Sequence, residues 1–163
     1  MSAMPQALLY AAVTLAAFLG MEAFAWATHR WVMHGWGWVW HRSHHEPRAG
    51  WFEKNDLFAV VFAAPAVALF WLGAQPGLRW VWFAGLGVSL YGLMYAFVHD
   101  GLVHQRWPFR WVPKRGYLRR LVLAHKLHHA VATRHDAVSF GFLWAPDPQA
   151  LKARLRASKA ARS

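Results

Sequence analysis

Three stretches of this chain are apolar over enough length to cross a lipid bilayer, and no other feature limits its fold as strongly. About 20 predominantly apolar residues suffice for a helical crossing. The first stretch runs over 6–27 and carries one charge, Glu22; the second, 57–73, and the third, 80–98, carry no acidic or basic residue. Gln75, Pro76 and Gly77 form a turn signal between the last two, which predicts a helical hairpin. Apolar residues make up 57% of the 163, against about 45–50% in soluble domains, so the excess sits where crossings are expected. Segments 35–40 and 140–145 are apolar but too short to span, and are expected at the interface or packed on the bundle. Ala23, Phe24 and Ala25 would fit a signal-peptidase site, but the n-region lacks Lys and Arg and the apolar run is long for a signal core, so retention as a helix is expected. One membrane-embedded domain over 1–150, followed by a basic tail over 151–163, accounts for this length.

The basic residues orient the crossings. Arg30, Arg42, Arg48 and Lys54 follow the first; Arg106, Arg110, Lys114, Arg115, Arg119, Arg120 and Lys126 follow the third; Lys152, Arg154, Arg156, Lys159 and Arg162 lie in the tail. The opposite side offers little beyond Arg79. The positive-inside tendency places the basic segments in the cytoplasm and the N-terminus outside. The net charge of +11, set beside long apolar runs, points to anionic lipid or an acidic protein partner and away from nucleic acid.

Cysteine is absent, which excludes disulfides, cysteine-ligated iron–sulfur clusters and a thiolate-ligated haem. No G-x-G-x-x-G follows a strand pattern, so no nucleotide or flavin domain is evident and electrons for any redox chemistry must come from another protein. Histidine, by contrast, is abundant, with eleven against seven acidic residues.

Ten of these histidines form a pattern that occurs twice. His29 and His34, with four residues between them, precede the triplet His41, His44 and His45. His99 and His104 repeat the gap, and His125, His128 and His129 repeat the triplet. At about 100° per residue, positions i, i+3 and i+4 share a helix face, so each triplet can converge on one point or on two adjacent points. The members of a four-residue gap stand about 140° apart on a straight helix. Either the helix breaks, near Gly35 and Gly37 or at Gly101, or each pair serves two different metals. Ten imidazoles are too many for one ion and suit two. Imidazole favours iron, zinc, copper or nickel over magnesium or calcium. A carboxylate-bridged di-iron site would need Glu-x-x-His, and a zinc protease His-Glu-x-x-His; the chain has neither. His135 lies outside the pattern and is expected to be an ordinary surface residue.

The order and spacing of the ten histidines resemble the fatty acid hydroxylase and sterol desaturase superfamily of membrane di-iron enzymes. The runs H-R-W-V-M-H at 29–34, H-R-S-H-H-E-P at 41–47, F-V-H-D-G-L-V-H-Q-R-W-P-F at 97–109, H-K-L-H-H-A at 125–130 and S-F-G-F-L-W-A-P at 139–146 are similar to the bacterial β-carotene hydroxylases within it. The resemblance covers about 22–146 and all ten histidines match. It implies an all-α integral-membrane bundle of three or four crossings in a bacterial cytoplasmic membrane, with a cytoplasmic histidine-rich cap. It further implies two iron ions, O2 as co-substrate, a ferredoxin-like electron donor, and hydroxylation of β-carotene at carbon 3 of each ring to zeaxanthin by way of β-cryptoxanthin. A carotenoid ketolase, or a fatty acid or sterol hydroxylase or desaturase, would use the same site. A membrane metal transporter would need polar residues along its crossings to form an ion path; the second and third carry no acidic or basic residue, which counts against it.

Other residues are candidates for supporting roles. Metal-bound histidines need partners for their second ring nitrogen; Asp100, beside His99, and Asp136 are candidates, with plain capping the alternative for Asp136. Glu22 lies two turns before His29, and a carboxylate at membrane depth requires a partner, a ligand histidine or a basic side chain, unless it snorkels to the interface. The twelve tryptophans are expected mainly as interfacial belts. The basic tail is expected against lipid or solvent, or docked to an acidic donor.

Overall fold

The three apolar stretches fold as three helices in a computed structural model that describes residues 5–47, 50–108 and 110–162. Of the residues invoked above, Arg48 and Phe109 lie outside the described residues. Helix α1 covers Gln6–Ala27, α2 Trp38–His45, α3 Leu57–Gly73, α4 Arg79–Tyr95, α5 Gly116–His128 and α6 Pro148–Ala160. No strand occurs among the described residues. Three helical stretches are long and apolar enough to cross a membrane, Gln6–Met33, Lys54–Gly73 and Arg79–Val103.

Two of these run past the ends expected from hydropathy. α1 continues without interruption into a π-helical segment, Thr28–Met33, and α4 into a second, Ala96–Val103. The first and third crossings therefore do not stop short of His29 and His99; they carry those residues as helix. The α3–α4 reversal lies at the expected turn, with Gly77 at φ +79°, a left-handed conformation that glycine adopts without steric cost.

α4 packs between α1 and α3. Leu15, Leu19, Val60, Val67, Trp71 and Leu93, on the outer faces of all three helices, are each more than half exposed. So large an apolar surface belongs in lipid and not in water. The α1–α4 contact is close because Gly87 has no side chain: a Cβ there would lie 2.3 Å from the Thr14 carbonyl oxygen and 2.8 Å from Ala17 Cβ. Overpacking of this kind costs about 1–3 kcal/mol or more. Gly87→Val is therefore expected to lower the thermal midpoint of the detergent-solubilised protein by several degrees, and an unchanged midpoint would show that the helices can separate freely.

Beyond the spans, the chain builds a cap. Its core joins Val98 of the second π segment to Leu121 and Ala124 of α5, to Val138 and Ala145 of the following strap, and to Leu151 of α6. Asp147 caps α6 by accepting from the Gln149 N–H at 3.1 Å, with Pro148 at the first helical position. Leu151, at 1% exposure, is buried in that core. The residues set apart in the sequence as a basic tail thus begin inside a docked helix. Trp31, Trp36, Trp51, Trp111 and Trp144 are exposed around the cap, where an interfacial belt is expected. The 140–145 segment is packed against the bundle, with Phe140, Phe142 and Ala145 buried.

Candidate metal centre

The π segments resolve the geometry of the four-residue gaps. A π-helix closes i→i+5 hydrogen bonds, and the His34 N–H donates to the His29 carbonyl at 3.1 Å while the His104 N–H donates to the His99 carbonyl at 2.9 Å. The wider turn stacks residues five apart on one face. His29 and His34 therefore point together, as do His99 and His104, whose ring centroids are 5.3 and 4.5 Å apart. Neither arrangement expected from a straight helix occurs: the helix does not break within the gap, and the two members of a pair do not diverge. The chain turns back only after His34, through Gly35, where a Cβ would lie 2.1 Å from the Trp31 carbonyl oxygen.

Ten histidines meet at the base of the crossings. His29, His34, His41 and His128 form one group and His44, His99, His104 and His125 another; within each, one ligand atom per residue lies within 4.8 Å of every other. α2 supplies His41 to the first group and His44 to the second, while α5 supplies His128 to the first and His125 to the second. Each triplet thus serves two adjacent points, and each π segment supplies a pair to one point. The remaining members lie between the groups. His45 and His129 stack at 4.4 Å, with His45 Nε2 3.3 Å from His41 Nε2 and His129 Nε2 2.9 Å from His125 Nε2. His135 is exposed, outside both groups, and accepts from Arg134 Nε at 2.9 Å.

The outward nitrogens are tied down. The Nδ1–H of His29 donates to the Phe140 carbonyl (2.9 Å), that of His34 to Arg134 (2.9 Å), that of His45 to Val131 (2.9 Å) and that of His128 to Val138 (3.1 Å). His41 donates to Asn55 Oδ1 at 2.7 Å, His44 to Glu53 Oε2 at 2.9 Å and His99 to Asp100 Oδ1 at 2.8 Å. An acceptor on Nδ1 fixes the proton there and leaves Nε2 with a bare lone pair. Yet inward Nε2 atoms approach one another closely: His29 and His41 at 3.1 Å, His34 and His128 at 3.2 Å, His44 and His99 at 2.8 Å. With both protons turned outward, nothing of the protein's own bridges these pairs. Facing lone pairs at such distances could hold a cation, and imidazole donors suit transition metals better than magnesium or calcium.

Burial keeps the rings of His34, His44, His125, His128 and His129 neutral, the form that coordinates. Burial first, and then neighbouring imidazoles, holds His44, His125 and His128 well below the ordinary histidine range. His129 is lowered to about 2 and His34 to about 4, in each case chiefly by burial. For His34 the sign follows directly. Between pH 6.5 and about 4 the unfolded chain takes up a proton that the folded chain does not, so stability falls as pH falls through that window and is undiminished above it. Metal-free protein is expected to melt several degrees lower at pH 5 than at pH 7.5; equal midpoints would mean that the rings are open to protons.

The supporting residues sort unequally. Asp100 accepts from the His99 ring. Asp136 contacts no histidine; it pairs with Arg162 and accepts from Ser158 Oγ at 3.0 Å, fixing the strap to α6. Glu22 accepts from Tyr91 Oη at 2.7 Å and from the backbone N–H groups of Phe142, Leu143 and Trp144 at 2.9–3.1 Å, so its partners are a phenol and three amides in place of a histidine or a base. Glu53 and Asn55 were not singled out in the sequence. They lie in a short polar run, 53–56, of a connecting segment, with no spacing relation to the histidines they support.

A fatty acid hydroxylase family model matches residues 14–146, which include all ten histidines. The chain belongs to the fatty acid hydroxylase family. Within reach of this family assignment are relatives much closer in sequence. The chain is 56% identical over 146 residues to a β-carotene hydroxylase of Pseudescherichia vulneris, covering 88% of this chain and 81% of the relative. It is 53% identical over 155 residues to one from Pantoea ananas, covering 94% and 87%. Against the chloroplastic β-carotene 3-hydroxylase 1 of Arabidopsis thaliana it is 43% identical over 140 residues, 83% of this chain and 44% of the relative. No solved structure matches the chain at a significant level. Membership in this hydroxylase family makes the protein a hydroxylating oxidoreductase and identifies the paired histidine groups as its candidate reaction centre.

Proposed function

We propose that the protein is a β-carotene 3-hydroxylase, converting β-carotene to zeaxanthin by way of β-cryptoxanthin. The observation that carries this reading is the pair of tetra-histidine groups at the base of the apolar crossings, in a chain more than half identical to bacterial proteins named for this activity. His29, His34, His41 and His128 would hold one iron and His44, His99, His104 and His125 the other, with His45 and His129 completing the ligand set between them. When bound, the iron pair supplies the oxidant for an unactivated ring C–H bond: C–H + O2 + 2 e⁻ + 2 H⁺ gives C–OH + H2O. The two electrons come from an external ferredoxin-like carrier, since the chain has no cysteine and no nucleotide-binding motif. The positive-inside tendency puts the histidine cap in the cytoplasm, where such a carrier resides.

What the protein itself does is position and exclude. The Nδ1 acceptors hold each imidazole in one tautomer and one orientation, and burial of His29, His41, His44 and His128 keeps bulk water off the groups. An apolar groove of about 750 Å³, lined by Tyr10, Thr14, Phe18, Phe83, Leu90 and Met94, lies along α1 and α4, two of the apolar crossings. A rod-like, wholly apolar substrate dissolved in the bilayer matches that surface.

Pigment chromatography of a β-carotene-accumulating bacterium expressing the chain tests the proposal. Zeaxanthin, with β-cryptoxanthin at early times, is expected. Keto-carotenoids in its place would make the enzyme a ketolase, and unchanged β-carotene with folded protein and a supplied reductant would move the substrate to another lipid.

A further inference from the structure

The two histidine groups are alike in number but differ in what stands behind them. Behind the first, the four Nδ1–H groups donate to the carbonyls of Phe140, Arg134 and Val138 and to the amide oxygen of Asn55, all neutral acceptors. Behind the second, His44 donates to the carboxylate of Glu53 and His99 to that of Asp100. The wider surroundings continue the contrast. Arg106 pairs with Asp56 at 2.6 Å and stands 3.5 Å from Asp100. Beside the first, Arg30 lies over the Phe140 ring at 4.7 Å and, with Arg134, lines the cleft against His34; Asp136, in the same cleft, is paired with Arg162.

Taking the two-metal reading above as given, we infer that the two sites are inequivalent, with the His44–His99–His104–His125 site binding its ion more tightly because Glu53 and Asp100 make its imidazoles better donors. A carboxylate accepting from Nδ1–H raises the basicity of Nε2, and loss of such a partner typically lowers metal affinity about 10–100-fold. Arg30 and Arg134, by contrast, oppose a cation in the first site. Glu53 is well placed for the role, being 8% exposed in its side chain and thus little screened by solvent.

The test is a titration of full-length, metal-stripped protein in detergent with Co2+, read by its ligand-field absorption and by bound metal per chain. Two steps are expected, separated by about 10-fold or more. His34→Ala should remove the weaker step and keep the tighter one. Glu53→Gln and Asp100→Asn, which retain an acceptor oxygen, should each weaken the tighter step about 10–100-fold and leave the other in place, while Asn55→Asp should strengthen the weaker. Two ions binding with one affinity in the unmodified protein, or His34→Ala removing the tighter step, would overturn the inference. A total other than two ions per chain would instead overturn the two-metal reading beneath it. Should stripped protein fail to recover, the protein as isolated is challenged with a chelator: stepwise loss, with the second ion released faster from Glu53→Gln, supports the inequivalence, and simultaneous loss of both ions overturns it.

Discussion

Replacing His128 with alanine is expected to abolish hydroxylation and to reduce bound metal from two ions per chain to one. His128 is fully buried at 0% exposure. Its Nε2 faces that of His34 at 3.2 Å and its Nδ1–H is spent on the Val138 carbonyl, so no rotation of a neighbour can replace its inward lone pair. Truncation removes one of four donors from the first group and leaves a buried carbonyl without its donor, a cost of about 1–3 kcal/mol. That cost is too small to dismantle a bundle held by three long apolar helices, so the variant should still insert in the membrane. His135→Ala is the contrasting change: its ring is exposed and outside both groups, and pigment conversion should be unaffected. Zeaxanthin formation by His128→Ala at the normal rate would remove His128 from the ligand set.

Much of this arrangement is legible in residue order. Hydropathy alone places α1 at 6–27 and α3 at 57–73, because apolar length against the thickness of a bilayer leaves little freedom in where a crossing begins. The repeated histidine pattern likewise announces two groups of candidate metal ligands. The triplet spacing allows one point or two, and the structure uses two, with His41 and His44 on different sides of the centre and His125 and His128 opposite them. What residue order could not reveal is the helical period at the gaps. Reading His29 and His34 at about 100° per residue sets them on different faces; only the i→i+5 hydrogen bonds, which any sequence can in principle make, turn them to one. Hydropathy, for its part, ends the third crossing at 98, where His99 and Asp100 interrupt the apolar run, yet Ala96–Val103 remains helical.

The supporting shell was less legible still, for a different reason. Asp100 adjoins its histidine and can be guessed, but His44 and Glu53, or His41 and Asn55, meet through the fold of an irregular segment. Three of the acceptors behind the first group are backbone carbonyls, which carry no side-chain signature at all. Asp136 illustrates the converse: a carboxylate near histidines in sequence turns to Ser158 of α6 and to Arg162, just past its end, once Leu151 docks that helix in the cap core.

Glu22→Ala should be nearly as damaging as loss of a ligand, although Glu22 touches no histidine. Its two carboxylate oxygens receive the Tyr91 hydroxyl and the amides of Phe142, Leu143 and Trp144. Successive N–H groups closing on an anion form a concave site that prefers negative charge, and charge-assisted bonds of this kind are the stronger sort. Gly141 lets the strap come so near: a Cβ there would lie 2.7 Å from Glu22 Oε1. The same strap carries the carbonyls of Val138 and Phe140, which orient His128 and His29. Alanine leaves three amides and a phenol without their acceptor, and the strap is then expected to lift. Activity and metal at the first group should fall together, by about 10–100-fold as for other partners of ligand histidines, with amide exchange quickening over 138–145. Glu22→Gln should lie between, because its single amide oxygen can still receive part of the amide set while its NH2 opposes the rest. Full activity in Glu22→Ala with unchanged exchange over 138–145 would mean that the strap is held by packing of Phe140, Phe142 and Ala145 alone, and that the carboxylate merely occupies a gap they have already closed.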